Sequence, residues 1–241
     1  MFNYPVLLSG DVDFMIKGIF SYNCFGNEVW ITTTHVCTLI VMLLLIVFAL
    51  FANRAVKKAN TDEAPGTFLN IVELLIDFLD GIVNSVMGKN AAKFANYIFT
   101  LFLFIFLSNI SGLMGLRPPT ADYGVTFPMG VITFGLITFN KFKHQKVSGV
   151  IKGLCDPWVF WIPINLIGDF AVPISLSLRL FANVLSGTVM MALYYGLLPI
   201  FVKIGIPSFL HIYFDLFSGA IQTYVFCMLT MTYVADAIGE G

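Results

Sequence analysis

The sequence predicts an all-α polytopic membrane protein with five transmembrane helices, an amphipathic helix on the cytoplasmic side, and a last pair of helices long enough to form a strongly tilted hairpin. Three observations predict it. Of 241 residues, 58% are hydrophobic and only 11% are charged, against roughly a quarter charged in water-soluble domains. Several apolar runs reach the roughly 20 residues a helix needs to cross a hydrocarbon core. The basic residues also gather on one side if those runs alternate across a membrane.

Residues 1–241 read as a single membrane domain that opens with an external N-terminal segment over 1–30. Its start, "MFNYPVLLSGDVDF", has acids where a cleaved signal peptide has a basic region, so the segment is expected to stay on the mature protein. The first membrane helix covers 31–52 and is followed by Arg54, Lys57 and Lys58. Residues 67–88 look hydrophobic too. There, however, Asn70, Glu73, Asp77, Asp80 and Asn84 recur every three or four residues, one stripe of an amphipathic helix. It lies at the cytoplasmic interface as a lipid anchor or a contact for a partner subunit, and its acids suit a protein partner better than anionic lipid.

The second and third membrane helices cover 94–116 and 128–140, joined by the Pro- and Gly-bearing turn "RPPTADYGVTFP". The fourth and fifth cover 162–199 and 207–238, with the turn "IFVKIGIP" between them. At about 1.5 Å per residue each approaches about 50 Å, against a hydrocarbon core of about 30 Å. They must tilt or bend, and Pro163 and Pro173 are the obvious places for a bend.

Arg54, Lys57, Lys58, Lys89, Lys93, Lys141, Lys143, Lys146 and Lys152 fall on one side of this topology, and Lys17, Arg117 and Lys203 on the other. The N-terminus is therefore expected outside and the C-terminus in the cytoplasm. A net charge of −1 argues against a nucleic-acid partner. Cys24, Cys37, Cys155 and Cys227 are scattered without a CxxC pair and read as small apolar fillers. His35, His144 and His211 are equally isolated, so no metal site and no cofactor are expected. "GIVNSVMGK" lacks the spacing of a phosphate-binding loop.

Two polar stripes remain. Ser175, Arg179, Asn183 and Ser186 or Gly187 line up on a 3.6-residue helix, and Asp215, Ser218 or Gly219, and Gln222 share a face of the last helix, continued by Tyr233 and Asp236. Small residues in such stripes serve close helix packing, and Asn183 and Gln222 suit interhelical hydrogen bonds. Arg179 is different. An arginine at mid-span costs about 2.5 to 3.5 kcal/mol, and it lies too deep for its head group to reach an interface. Asp169 is the main candidate for a structural partner, yet ten residues of helix turn it about 80° away and nearly three turns below. The counter-charge is expected from another chain, and an arginine there would make a passing carboxylate release its bound cation.

"SLSLRLFANVLSG" (175–187) resembles the signature segment of subunit a of the rotary F-type ATP synthase, and "GAIQTYVFCMLTMTYV" (219–234) resembles its last helix. The resemblance implies a non-catalytic membrane stator of the bacterial plasma membrane, beside a ring of c subunits and b-type peripheral stalk subunits. Arg179 matches the arginine that separates an outer from an inner half-channel, and Gln222 the glutamine that faces it. Asn183 and Ser175 match the residues one turn beyond and one turn before the arginine, and Asp169 falls near the inner passage. Related sequences often pair an acid with a histidine in the outer passage. At those positions this chain has Thr188 and Asp215, so Asp215 would carry most of that passage. The coupling ion, H+ or Na+, stays open.

Two other readings compete. A self-contained secondary transporter would use Arg179 to bind an anionic substrate, but such proteins show paired repeats, and no second copy of the arginine segment occurs. An intramembrane enzyme would need a nucleophile and base at helix depth, and the histidines map near ends or loops.

Overall fold

The computed structural model describes residues 18–24, 27–59, 66–114, 116–155, 158–197 and 206–239. The first 17 residues of the N-terminal segment, and most of the turn expected between the last two membrane helices, lie outside the described residues.

The described residues are helical almost throughout, and among them five helical stretches are long and apolar enough to cross a membrane. One departure from the all-α expectation precedes them. Strands β1 (Gly18–Cys24) and β2 (Asn27–Thr32) form an antiparallel hairpin with a bulge near Gly18, in a segment read from sequence only as external. Its Phe, Val, Trp and Ile residues, spaced at twos in part, favour strand over helix.

α1 (Thr33–Lys58) follows directly, and His35 serves its first turn: the Thr32 backbone N–H donates to His35 Nδ1 at 3.4 Å. Lys57 and Lys58 in its last turn complement the negative end of the helix. α1 buries Thr34, Cys37 and Val41 and turns Leu39, Leu43, Ile46, Val47 and Leu50 outward. In water that surface would be untenable, whereas in hydrocarbon it is what solvation requires.

α2 (Thr67–Met87) has three faces. Leu69, Val72, Leu79, Val83 and Met87 are buried; Asn70, Glu73, Asp77 and Asn84 are exposed; Phe68, Ile71, Leu74 and Phe78 form a second, outward apolar face. Gly88 ends it at φ 49°, a left-handed backbone region that favours glycine. After one 3-10 turn α3 (Ala91–Ile110) begins.

α4 (Tyr123–Cys155) is far longer than the apolar run at 128–140 that signals it. It starts upstream of Pro128 and continues through Asn140, Lys141, His144 and Gln145. Hydropathy reads those residues as loop, yet nothing in them breaks a helix. α5 (Ile162–Leu197) is continuous across Pro173, with no interruption where the sequence offered a bend. The final segment is composite: α6 (Ile206–His211), a π-helical turn (Ile212–Ser218) and α7 (Gly219–Ile238).

The core forms where α2, α3, α4, α5 and α7 meet: Val83 and Met87, Ile98 and Ile105, Met129, Leu176 and Leu180, Phe226, Met231 and Val234. α4 approaches α5 closely because Gly130 has no side chain. A β-carbon there would stand 2.6 Å from the Pro173 carbonyl oxygen. That oxygen is backbone and has little room to yield. Gly130→Ala is expected to destabilise the protein by about 1 to 3 kcal/mol, read as a lower melting temperature of the purified protein in detergent.

Candidate functional site

Burial divides α5 into two faces. Pro173, Leu176, Ser177, Leu180, Gly187 and Met191 recur every three, four or seven residues and face the core. Ser175, Arg179 and Ser186 lie on the opposite, exposed face among Ile174, Leu178, Ala182 and Met190. Helical periodicity alone produces this: the leucines that anchor α5 force Arg179 outward.

Among the described residues no carboxylate pairs with Arg179. Asp169, the candidate structural partner, is held by Lys141 of α4 instead, Nζ to Oδ2 at 2.9 Å. Both groups line a cavity of about 470 Å³ with Gln145, Tyr233 and Asp236. α4, α5 and α7 thus bring one ammonium and two carboxylates to a single opening.

Asn183, one turn beyond Arg179, is half-buried and leaves the exposed stripe. Its Oδ1 accepts a hydrogen bond from Ser218 Oγ at 2.9 Å, which ties α5 to the end of the π turn. Thr188 is also half-buried, with its hydroxyl donating to the Leu185 carbonyl of its own helix at 2.8 Å. Gln222 is buried at 9% exposure on α7, and its Nε2 has no hydrogen-bond partner among the described residues. Leaving such a donor unpaired costs about 1 to 3 kcal/mol.

Of the stripe expected along the last helix, Asp215 and Ser218 are half-buried, Gly219 and Gln222 buried, Tyr233 half-buried and Asp236 exposed. In the π turn hydrogen bonds run from i to i+5, so the angular register on either side differs from that of a plain α-helix. Asp215 sits inside this turn, its side chain 16% exposed and its Oδ2 2.9 Å from His211 Nδ1. The carboxylate rests against the 3-10 turn after α3. A β-carbon on Gly112 would stand 3.1 Å from Asp215 Cγ.

Asn109 holds this region together. Its Nδ2 donates to the Gly219 carbonyl at 3.1 Å and to Thr223 Oγ1 at 3.3 Å, while its Oδ1 accepts from Thr120 Oγ1 at 2.7 Å. All three side chains are buried. Gly219 must be glycine for this approach, since a β-carbon would stand 2.9 Å from Asn109 Cβ. Asn109, Lys141 and His211 were missed in the sequence. The i, i+4 spacing of His211 and Asp215 was a readable signal; the other two partnerships link distant helices and had none.

Fold and site together define a multi-pass helical membrane protein with ionisable side chains on its long apolar helices, the class in which such groups mark ion paths. The chain matches the ATP synthase A chain family over residues 35–235. It is 35% identical to the sodium ion specific ATP synthase subunit a of Propionigenium modestum, over 88% of this chain and 75% of that protein. Identity is 33% with subunit a of Mycoplasma genitalium, over 84% and 78% of the two chains, and 32% with that of Limosilactobacillus reuteri, over 86% and 93%. The chain belongs to the ATP synthase subunit a family, the ion-translocating membrane subunit of the Fo sector.

The Ser218–Asn183 bond should be measurable by a double-mutant cycle. Ser218→Ala and Asn183→Ala are each expected to lower stability, with a coupling of about 0.5 to 1.5 kcal/mol, from thermal unfolding of the detergent-solubilised protein.

Proposed function

We propose that this chain supplies two offset half-channels that carry a small monovalent cation to and from carboxylates on a rotating c-subunit ring, with Arg179 between them. The observation that supports this most is Arg179 itself. It is exposed near the middle of a long apolar helix and has no acidic partner among the described residues. Lipid would not tolerate it there. A rotor surface that presents carboxylates would.

The outer passage runs by Asp215 and loads a ring carboxylate, which then travels through lipid in its neutral, cation-bound form. Beside Arg179 the guanidinium favours the ionised carboxylate, so the cation is released. It leaves past Ser175 towards the cavity lined by Asp169, Lys141 and Asp236. The guanidinium of Arg179 repels any cation that would pass straight from one half-channel to the other. Gln222 contributes a polar group opposite α5, and Thr188 lines the outer side without titrating. Transfer down a membrane potential supplies about 2.3 kcal/mol per charge per 100 mV.

In this reading the N-terminus lies outside and the C-terminus in the cytoplasm, and α5 with the composite last helix forms a tilted hairpin against the ring. The acidic stripe of α2 meets b-type stalk subunits. Phosphoryl chemistry belongs to other subunits.

Arg179→Ala is expected to abolish ATP-driven ion pumping and ATP synthesis in reconstituted vesicles while the complex still assembles. Ordinary synthesis rates in that variant would refute the proposal. Asp215→Asn is expected to slow translocation severalfold without loss of assembly, measured as ion flux in the same vesicles.

A further inference from the structure

We infer that the crevice between α1 and α2 holds an anionic phospholipid, its phosphate between Arg54 and Lys58 and one acyl chain running past Phe48. The half-channel reading bears on this only through its orientation, which makes the cytoplasmic leaflet the source of the lipid. Among the described residues Val41 is the last buried residue of α1. From there to Lys58 the helix runs beside α2 and α3 without closing on them, and two cavities open in the gap.

Phe48, Phe51, Arg54, Ala55 and Lys58 of α1, with Phe68 of α2, line a cavity of about 490 Å³. Leu45, Ala49 and Ala52 of α1, with Val72 and Leu79 of α2 and Phe99 of α3, line a second of about 340 Å³. Phe48 belongs to both, and it meets Phe68 edge-on at 6.3 Å, so this ring pair stands where the two cavities meet. Leu45, Phe48, Ala52, Ala55 and Lys58 fall three or four residues apart, which puts them on one face of α1.

Charge is distributed along this face as it is along a phospholipid. The deeper cavity is lined by no charged side chain. The mouth carries Arg54 and Lys58, both exposed and one helical turn apart, and neither has an acidic partner among the described residues. Glu73, Asp77 and Asp80 of α2 line neither cavity. A guanidinium presents paired N–H donors to a phosphate and an ammonium adds a point charge, and basic pockets between membrane helices on the cytoplasmic side suit anionic head groups. Length agrees as well. Leu45 to Lys58 covers about 20 Å of helix, against about 15 Å for one leaflet of a hydrocarbon core about 30 Å thick. With the two cations at head-group level, the crevice reaches down through one leaflet. A partner helix, about 10 Å across, would need far more room over that length than the two cavities offer, whereas an acyl chain is a single file of methylenes. The bound lipid completes the packing that α1 leaves open and ties it to α2.

The test uses the complete ATP synthase, stripped of lipid in a neutral detergent. The probe is phosphatidylglycerol with a photoreactive group in one acyl chain, compared with phosphatidylcholine carrying the same chain, and labelled peptides are mapped by mass spectrometry. The expected result is saturable labelling of the α1, α2 and α3 segments around the crevice, about tenfold tighter for phosphatidylglycerol. Arg54→Gln combined with Lys58→Gln should weaken it about thirtyfold, which corresponds to about 1 kcal/mol for each lost cation. Lys57→Gln removes a charge from the same turn that lines neither cavity, and should leave labelling unchanged. Ala52→Leu keeps both cations but fills the crevice, and should reduce labelling severalfold. Equal labelling by the two lipids, an effect of Lys57→Gln as large as that of the pair, or labelling of a stalk subunit in place of α1 and α2 would each overturn the site. Displacement of the lipid by inorganic phosphate at equal concentration would do the same, since phosphate brings the charge without the chain. The comparison of the two lipids on the unaltered complex decides the matter even if a variant fails to assemble.

Discussion

A guanidinium at membrane depth needs an anion, water or a polar surface against it, and among the described residues no acid of its own chain provides that anion to Arg179. The inward face of α5 is taken by Leu176, Ser177 and Leu180, which are almost wholly buried. Arg179 follows from them by geometry, since a helix cannot bury that face and also turn Arg179 inward. The nearest acid along α5, Asp169, is taken up by Lys141. Most other features can be read as consequences. The outward face of α5 is left for another surface, and Ser218 and Thr223 of the last segment hold that segment in place.

That holding is done by buried polar contacts, in a protein whose lipid-facing surface gives no hydrophobic drive for helix association. Asn109 bonds to α7 and to the turn before α4, and Ser218 bonds to α5. Both attach next to the π turn, where the helical ladder is least regular. Glycines let the helices approach: Gly112 under Asp215, Gly130 at Pro173, Gly219 at Asn109. A π turn fixed from two sides can hold Asp215 at an angle that a regular helix would not give.

Much of the fold was legible because membrane spans announce themselves by length and apolarity. The number of spans, the amphipathic character of 67–88 and the outward position of Ser175 and Arg179 need only the helical period. Extents were less legible. α4 outruns its apolar section because Lys141, His144 and Gln145 are compatible with helix although they are polar. The β1–β2 hairpin was hidden in a short stretch with weak alternation. Of the site, Asp215 and Asn183 were picked out individually, but their partners were not. Contacts such as Lys141–Asp169 depend on how two helices are rotated against each other, and a single sequence carries no record of that. His211 was set aside as isolated and near a helix end, although its spacing from Asp215 was in plain view.

α1 differs from every other long helix in how it is held. Its buried residues, Thr34, Cys37 and Val41, all lie near its N-terminal end, and the remainder touches the protein lightly, as where Phe48 meets Phe68 edge-on. It is moored at one end like a mast stepped at its foot, with the bilayer as rigging. Solubilising the subunit therefore removes support from α1 first, so its tilt in a micelle reports on the detergent more than on the protein.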